Sequence, residues 1–226
     1  MLYIVSMPIG NLEDITLRAL RVLREANAVI CEERREGARL LHHYHIETTI
    51  IDLNEHTERE RIPELIERLQ NGETLALISD HGTPLLADPG GRLVEQAIAQ
   101  NLALSAIPGT SALLAALVAS GFSLERFRFV GFLPAKKDER RAALVRLKDE
   151  RDTWVVFDAP YRLDALLTDL HGVLGAERRV VVACSLTMPK ENFVRGTLRE
   201  IVNYFKQNPF KGEFVILVAG KQFRNS

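Results

Sequence analysis

Short apolar runs alternate with helical patterns along this chain, and that alternation limits the fold more than any other feature. Residues 2–7, 28–31, 49–53, 74–79 and 102–107 read as strands, with helices near 14–25, 36–43, 58–70 and 91–100 between them. In the third helix Ile62, Leu65, Ile66 and Leu69 fall at i, i+3, i+4 and i+7, one face of a 3.6-residue period. Asn11, with Asp14 three residues on, reads as a cap opening the first helix. Strands alternating with helices predict a mostly parallel sheet covered on both faces. A helix near 111–119 closes this half, and the interruption "GFSLERF" at 121–127 places a boundary there. The expected domains are 1–120 and 121–226. The second half begins with a strand (128–133), a helix (138–148) and a strand (153–157). A leucine-striped helix follows, carrying Leu163, Leu166, Leu167 and Leu170, then strands near 179–185 and 192–196. A helix near 198–206 and a last strand in "GEFVILVAG" complete it. Fewer helices and adjacent late strands predict a mixed sheet. The expected class is α/β, with two domains, each a largely parallel or mixed sheet flanked by helices.

At 226 residues the chain suits two domains of ~110 residues each. Its formal net charge of −1 excludes a globally basic binder, so any contact with nucleic acid needs local patches. Cys31 and Cys184 each sit in an apolar run and read as small buried hydrophobes, without a disulfide framework. The first residues, "MLYIVSMPIGN", lack a basic leader and a small-residue cleavage site. No run approaches the ~18 apolar residues of a membrane span. The expectation is a cytoplasmic protein.

In open α/β sheets ligands gather at the carboxyl ends of strands, so the loops there carry the functional signal. After the first strand, "MPIGN" offers Gly10 but no dinucleotide fingerprint. After the fourth comes "LISDHGTPLLADPGG", residues 77–91. Its glycines permit tight turns and close approach, and Pro84 and Pro89 stiffen it. Such a loop, opening a helix with free backbone N–H groups, suits a polar ligand. After the fifth, "IPGTSALLAAL" places Thr110 or Ser111 to cap a helix.

These blocks, with "GFLPAKKDERR", "FDAPYRL", "FVRGTL" and "KGEFVILV" in order, resemble the tetrapyrrole methylase superfamily of S-adenosylmethionine-dependent methyltransferases. Within it the chain is most similar to the ribosomal RNA small-subunit methyltransferase I family, which methylates a cytidine 2′-hydroxyl. The chain ends soon after its last strand, where those RNA methylases carry an extension. The resemblance implies a class III methyltransferase fold with the donor between two domains, and a homodimer. It implies donor contacts at Pro8, Asp80, Gly82, Thr83, Pro84, Leu86, Ser111 and Ala112, and at Phe157, Asp158, Leu186 and Gly212. Glu32 matches a family glutamate and is the candidate for handling the acceptor; Glu33, Asp80 and His81 are the other titratable candidates. "HHYH" at 42–45 lacks a nearby acid or thiol at ligand spacing, and no metal is expected. "KKDERR" brings Lys136, Lys137, Arg140 and Arg141 to a helix start, where cations oppose the macrodipole. A phosphate-binding patch for RNA explains them, and Arg34, Arg35 and Arg39 could extend it. Two alternatives stay open: a methyltransferase acting on a tetrapyrrole or other small molecule, and a non-catalytic S-adenosylmethionine-binding protein.

Overall fold

The structure, a computed structural model, describes residues 1–86 and 88–221; Ala87, inside the long loop, and 222–226 lie outside it. The chain divides into two compact units, Met1–Ser111 and Ala112–Ser226.

The first unit is a five-stranded parallel sheet. Its strands are β1 (Leu2–Val5), β2 (Ala28–Cys31), β3 (Thr49–Asp52), β4 (Leu75–Ile78) and β5 (Leu104–Ile107), in the order β3-β2-β4-β1-β5. The helices are α1 (Leu17–Glu25), α2 (Arg34–His43), α3 (Glu58–Gln70) and α4 (Gly91–Ala99). Successive strand residues point to opposite faces, and both faces are covered. Val29, Cys31, Ala76 and Ile78 pack with Val22 and Leu23 of α1 and Leu40 and Leu41 of α2. Ala28, Ile30, Leu75 and Leu77 pack with Ile62, Leu65, Ile66 and Leu69 of α3 and Leu93 of α4. That double burial is why β2 and β4 read as unbroken apolar runs. Both cysteines are buried, and burial pushes each thiol up to about 12. One local expectation is corrected. Asn11 accepts from the Glu13 N–H and caps a single 3-10 turn, Leu12–Asp14, while the Thr16 side chain accepts from Ala19 and opens α1. The chain between needs an extended residue, Ile15, so the turn and the helix are separate.

The second unit holds α5 (Ala112–Val118), β6 (Phe127–Phe132), α6 (Lys137–Leu147), β7 (Thr153–Phe157), α7 (Leu163–Leu174), β8 (Arg179–Cys184), β9 (Asn192–Thr197), α8 (Leu198–Gln207) and β10 (Phe214–Val218). Its sheet runs β6-β7-β10-β8-β9. Only β6 and β7 pair in parallel; β10 is antiparallel to both of its neighbours, and β8 to β9, so the sheet is mixed. Trp154, Val156, Val180, Val182, Ile216 and Val218 form a core with Leu144, Leu166, Leu170, Ile201 and Phe205. A full capping box, Thr197 with Glu200, opens α8. Among the described residues no helix is long and apolar enough to cross a membrane.

Candidate functional site

In the first unit β4, β1 and β5 are neighbours, all parallel, so their carboxyl-end loops leave one edge side by side. Hydrogen bonds lace these loops together. Met7 N–H donates to the Gly82 carbonyl (2.8 Å), and Gly82 N–H to the Pro8 carbonyl (3.3 Å). Thr83 Oγ1 donates to the Thr110 carbonyl (2.9 Å) and lies 3.2 Å from Ser6 Oγ. Since the Thr83 proton is committed, Ser6 is the donor of that second bond. Thr110 Oγ1 donates to the Met7 carbonyl. The threonine therefore ties two loops rather than capping a helix. Two glycines make the approach possible. Gly82 has φ +79°, and a Cβ there would lie 2.8 Å from Ile9 Cγ2. A Cβ on Gly109 would lie 2.9 Å from Ser6 Cβ and 3.3 Å from the Ser6 carbonyl oxygen. Pro8, Gly82 and Pro84 are buried, whereas Leu86 is exposed. Leu85 has φ +73°, a strained conformation for a branched side chain of order 1–3 kcal/mol. Its packing against the core beneath α3 and α4 offsets that cost.

Asp80 is half-buried just before the laced turn. Its Oδ1 is buried without a hydrogen-bond partner. Burial raises its pKa, while the Glu33 N–H and the His81 side chain oppose the rise. A cavity of about 550 Å³ opens nearby, lined by Glu32, Glu55, Glu58, Asp88, Arg92 and Glu95 among others. Five carboxylates against one guanidinium make this cavity repel phosphate. Burial raises the Glu32 pKa, and the carboxylates of Asp80, Asp88, Glu33 and Glu55 raise it further. Asp88 is raised by burial too, opposed by bonds from the Ser79 hydroxyl and the Leu85 N–H. Sequence reasoning misses Asp88; its only signal is one more acid in a loop already rich in turn chemistry.

In the second unit Phe157, Leu186 and Gly212 fall at one end of the sheet, where β7 and β8 finish and β10 begins. Phe157 is in register with Val215, and Cys184 with Phe214. Ser185 N–H donates to the Glu213 carbonyl (2.9 Å), closing the turn that carries Leu186. Asp158 follows Phe157 and is 4% exposed. Its Oδ1 accepts from the Ala159 N–H (2.8 Å) and pairs with Arg162 (3.1 Å), and its Oδ2 is buried without a partner. Ser111 ends the first unit and Ala112 begins the second.

The basic segment needs a correction. Lys136, Lys137 and Arg141 are exposed, but Arg140 is 5% exposed and faces inward. Its Nε and Nη2 bond Asp169 Oδ2 at 2.9 and 2.7 Å, and its Nη1 bonds the Ala135 carbonyl at 2.8 Å. The helical period places Arg140 on the face of Leu144 and Leu147, so it is a core ion pair and not available to a phosphate. Asp138 and Glu139 in the first turn of α6 favour its dipole, and Lys136 pairs with Glu139 at 3.2 Å. Of the possible extension, Arg34 donates to the Ile50 carbonyl and Arg39 to Glu36. Among the described residues no group of three or more His, Cys, Asp or Glu could hold a metal ion.

A parallel α/β unit whose adjacent strand-end loops are stitched around close-approach glycines is a ligand-binding architecture. Comparison with known proteins specifies it. The family model "Tetrapyrrole (Corrin/Porphyrin) Methylases" matches residues 1–202. Proteins named ribosomal RNA small subunit methyltransferase I are similar along nearly the whole chain. The one from Pseudomonas aeruginosa is 46% identical over 223 residues, covering 98% of this chain and 79% of its own. The one from Halalkalibacterium halodurans is 42% identical over 219 residues, covering 97% and 75%. Solved structures share the fold at low identity. A diphthine synthase superposes with TM-score 0.74 at 16% identity, covering 99% of this chain and 90% of its own. A Thermus thermophilus uroporphyrin-III C-methyltransferase complexed with S-adenosyl homocysteine superposes with TM-score 0.64 at 19% identity, covering 96% of each chain. The chain belongs to the tetrapyrrole methylase family of S-adenosylmethionine-dependent methyltransferases. Asp80 in the first unit and Asp158 in the second each keep one buried carboxylate oxygen without a hydrogen-bond partner, and an oxygen of that kind can accept from an amino or hydroxyl group.

Proposed function

We propose that this methyltransferase modifies RNA, at a ribose 2′-hydroxyl of the small ribosomal subunit, and that it works as a cytoplasmic homodimer. The observation that carries the acceptor is the 42–46% identity to the RNA methyltransferases named above, sustained over 97–98% of the chain. The dimer rests on the family resemblance.

In this reading Pro8, Asp80, Gly82, Thr83, Pro84, Leu86, Ser111 and Ala112 hold the donor, with Phe157, Asp158, Leu186 and Gly212 from the second unit. The bound donor supplies an electrophilic methyl group on a sulfonium. The protein contributes position, which is where most of the rate of such a displacement comes from. The laced loops fix Thr83 and Gly82 before any ligand arrives, so little ordering cost remains at binding. Glu32 accepts the hydroxyl proton as the new oxygen–carbon bond forms. Its raised pKa brings it closer to working pH and improves it as a base. The acidic cavity beside it turns away phosphates, leaving ribose and base as the groups that enter. Lys136, Lys137 and Arg141 meet the RNA backbone instead.

The test is transfer of label from S-adenosylmethionine into small ribosomal subunits and into small-molecule extract, both from cells lacking the protein. Label in the ribosomal RNA is expected. Label confined to small molecules would assign a tetrapyrrole or similar acceptor. Binding of donor with no label anywhere would leave a non-catalytic binding protein.

A further inference from the structure

Tyr161 leaves 87% of its surface in solvent, although the turn that carries it is held rigidly. It is the middle residue of the 3-10 turn Pro160–Arg162. Pro160 fixes the backbone on one side. On the other side Arg162 is nailed down by four bonds. Its N–H donates to the Ala159 carbonyl (2.9 Å). Its guanidinium pairs with Asp158 Oδ1 (3.1 Å) and donates to the carbonyls of Leu133 (3.2 Å) and Pro134 (2.9 Å). Those carbonyls belong to the turn that leads directly into Lys136 and Lys137. Arg140 grips the same turn through the Pro134 and Ala135 carbonyls (3.4 and 2.8 Å). Arg162, neutralised by the buried Asp158, therefore clips the tyrosine turn to the lysine turn, and Arg140, neutralised by the buried Asp169, holds the lysine turn to α7.

The outcome is an exposed aromatic ring on a braced turn, clipped to the turn that leads into the exposed Lys136 and Lys137. A ring held in water gains nothing for the fold, and a braced backbone leaves only the side-chain rotation to be ordered when something lies on the ring. Cations that follow a phosphate backbone, with an aromatic platform beside them, are the composition that binds single-stranded nucleic acid. We infer that Tyr161 stacks on an unpaired base of the RNA whose phosphates contact Lys136 and Lys137. The inference rests on the RNA reading above and adds a base-recognition residue to it. The observations favour an unpaired strand over a duplex, because a paired base offers no free face to a ring.

The experiment uses the full chain, a short unstructured RNA oligonucleotide labelled with fluorescein, and fluorescence anisotropy across a salt series. Tyr161→Ala weakens binding about 10-fold at every salt concentration, with the salt slope unchanged, because stacking releases no counterions. Tyr161→Phe keeps the ring and binds as the unchanged protein does. Lys136→Gln with Lys137→Gln instead flattens the slope by about 1.4, roughly 0.7 for each single-strand phosphate that is no longer neutralised. Unchanged affinity in Tyr161→Ala would overturn the inference, as would equal losses in the Phe and Ala variants, which would point to the hydroxyl. If Tyr161→Ala labels ribosomal RNA with unchanged KM, only the stacking inference falls. If the unchanged protein neither binds the oligonucleotide nor labels RNA, the RNA reading falls and takes Tyr161 with it.

Discussion

Replacing Gly82 by alanine tests whether the laced loop binds the donor. At φ +79° the residue occupies the left-handed region, where a Cβ costs of order 1–2 kcal/mol. The new Cβ would also lie 2.8 Å from Ile9 Cγ2. That atom is the tip of a side chain, so the clash is relieved by a shift of a few tenths of an ångström. The flanking bonds, Met7 to Gly82 and Gly82 to Pro8, oppose that shift. Together these costs come to about 2 kcal/mol, or about 30-fold in the population of the undistorted loop. Calorimetric titration with S-adenosylhomocysteine should show Kd rising by about that factor. Gly72→Ala is the control. Gly72 has φ +87° but nothing within 4 Å of the added Cβ, so it carries the backbone strain without touching the loops. It should lower Tm by a few degrees, about 2–4 °C per kcal/mol for a chain of this size, and leave Kd unchanged. A Gly82→Ala protein that binds S-adenosylhomocysteine as tightly as the unchanged chain would refute the assignment of this loop to the donor.

Arg140→Met should destabilise the second unit by about 3–5 kcal/mol, because it leaves the Asp169 carboxylate buried and unpaired. Urea unfolding measures this, and the paired change Arg140→Met with Asp169→Leu should recover much of the loss; equal destabilisation in both would show that the pair is not what matters. Glu32→Gln should raise Tm at neutral pH, since it removes a charge disfavoured first by burial and then by repulsion from Asp80, Asp88, Glu33 and Glu55. The sign follows from the raised pKa: the folded state binds the proton more tightly than the unfolded state, so the penalty is present at high pH. It fades as pH falls through the raised value towards the ordinary glutamate range, so the gain from Glu32→Gln should shrink on acidification; a gain that grows there would contradict it. Cys31 and Cys184 should resist a thiol reagent at pH 8 until the chain unfolds, because burial holds both near 12.

Much of the fold was legible because its signals are local. The spans 28–31, 58–70 and 153–157 coincide with β2, α3 and β7. An apolar run between turn residues, or an i, i+3, i+4, i+7 stripe, needs no knowledge of distant chain. The loop at 77–91 was equally readable from its glycines and prolines. Arg140 shows where such reading stops short. "KKDERR" looks like one basic patch, yet the same helical period that marks Leu144 and Leu147 as buried also carries Arg140 inward. That signal was present. What completed it was not: Asp169 lies 29 residues away in sequence, inside the leucine stripe of α7.

Period, propensity and turn chemistry act over a few residues, so the elements, their α/β alternation and the turn-rich loops at the strand ends are written in the sequence. Tertiary structure alone decided which loops meet and which charges are spent internally. Ser6 reaches Thr83 across 77 residues, and Thr110 reaches Met7 across 103. Strand order brings such groups together, and strand order is set by the burial of whole faces rather than by any short stretch of chain. The same sheets fix where the cations point: Arg140 is consumed by Asp169 and a pair of carbonyls, while Lys136, Lys137 and Tyr161 are left facing water.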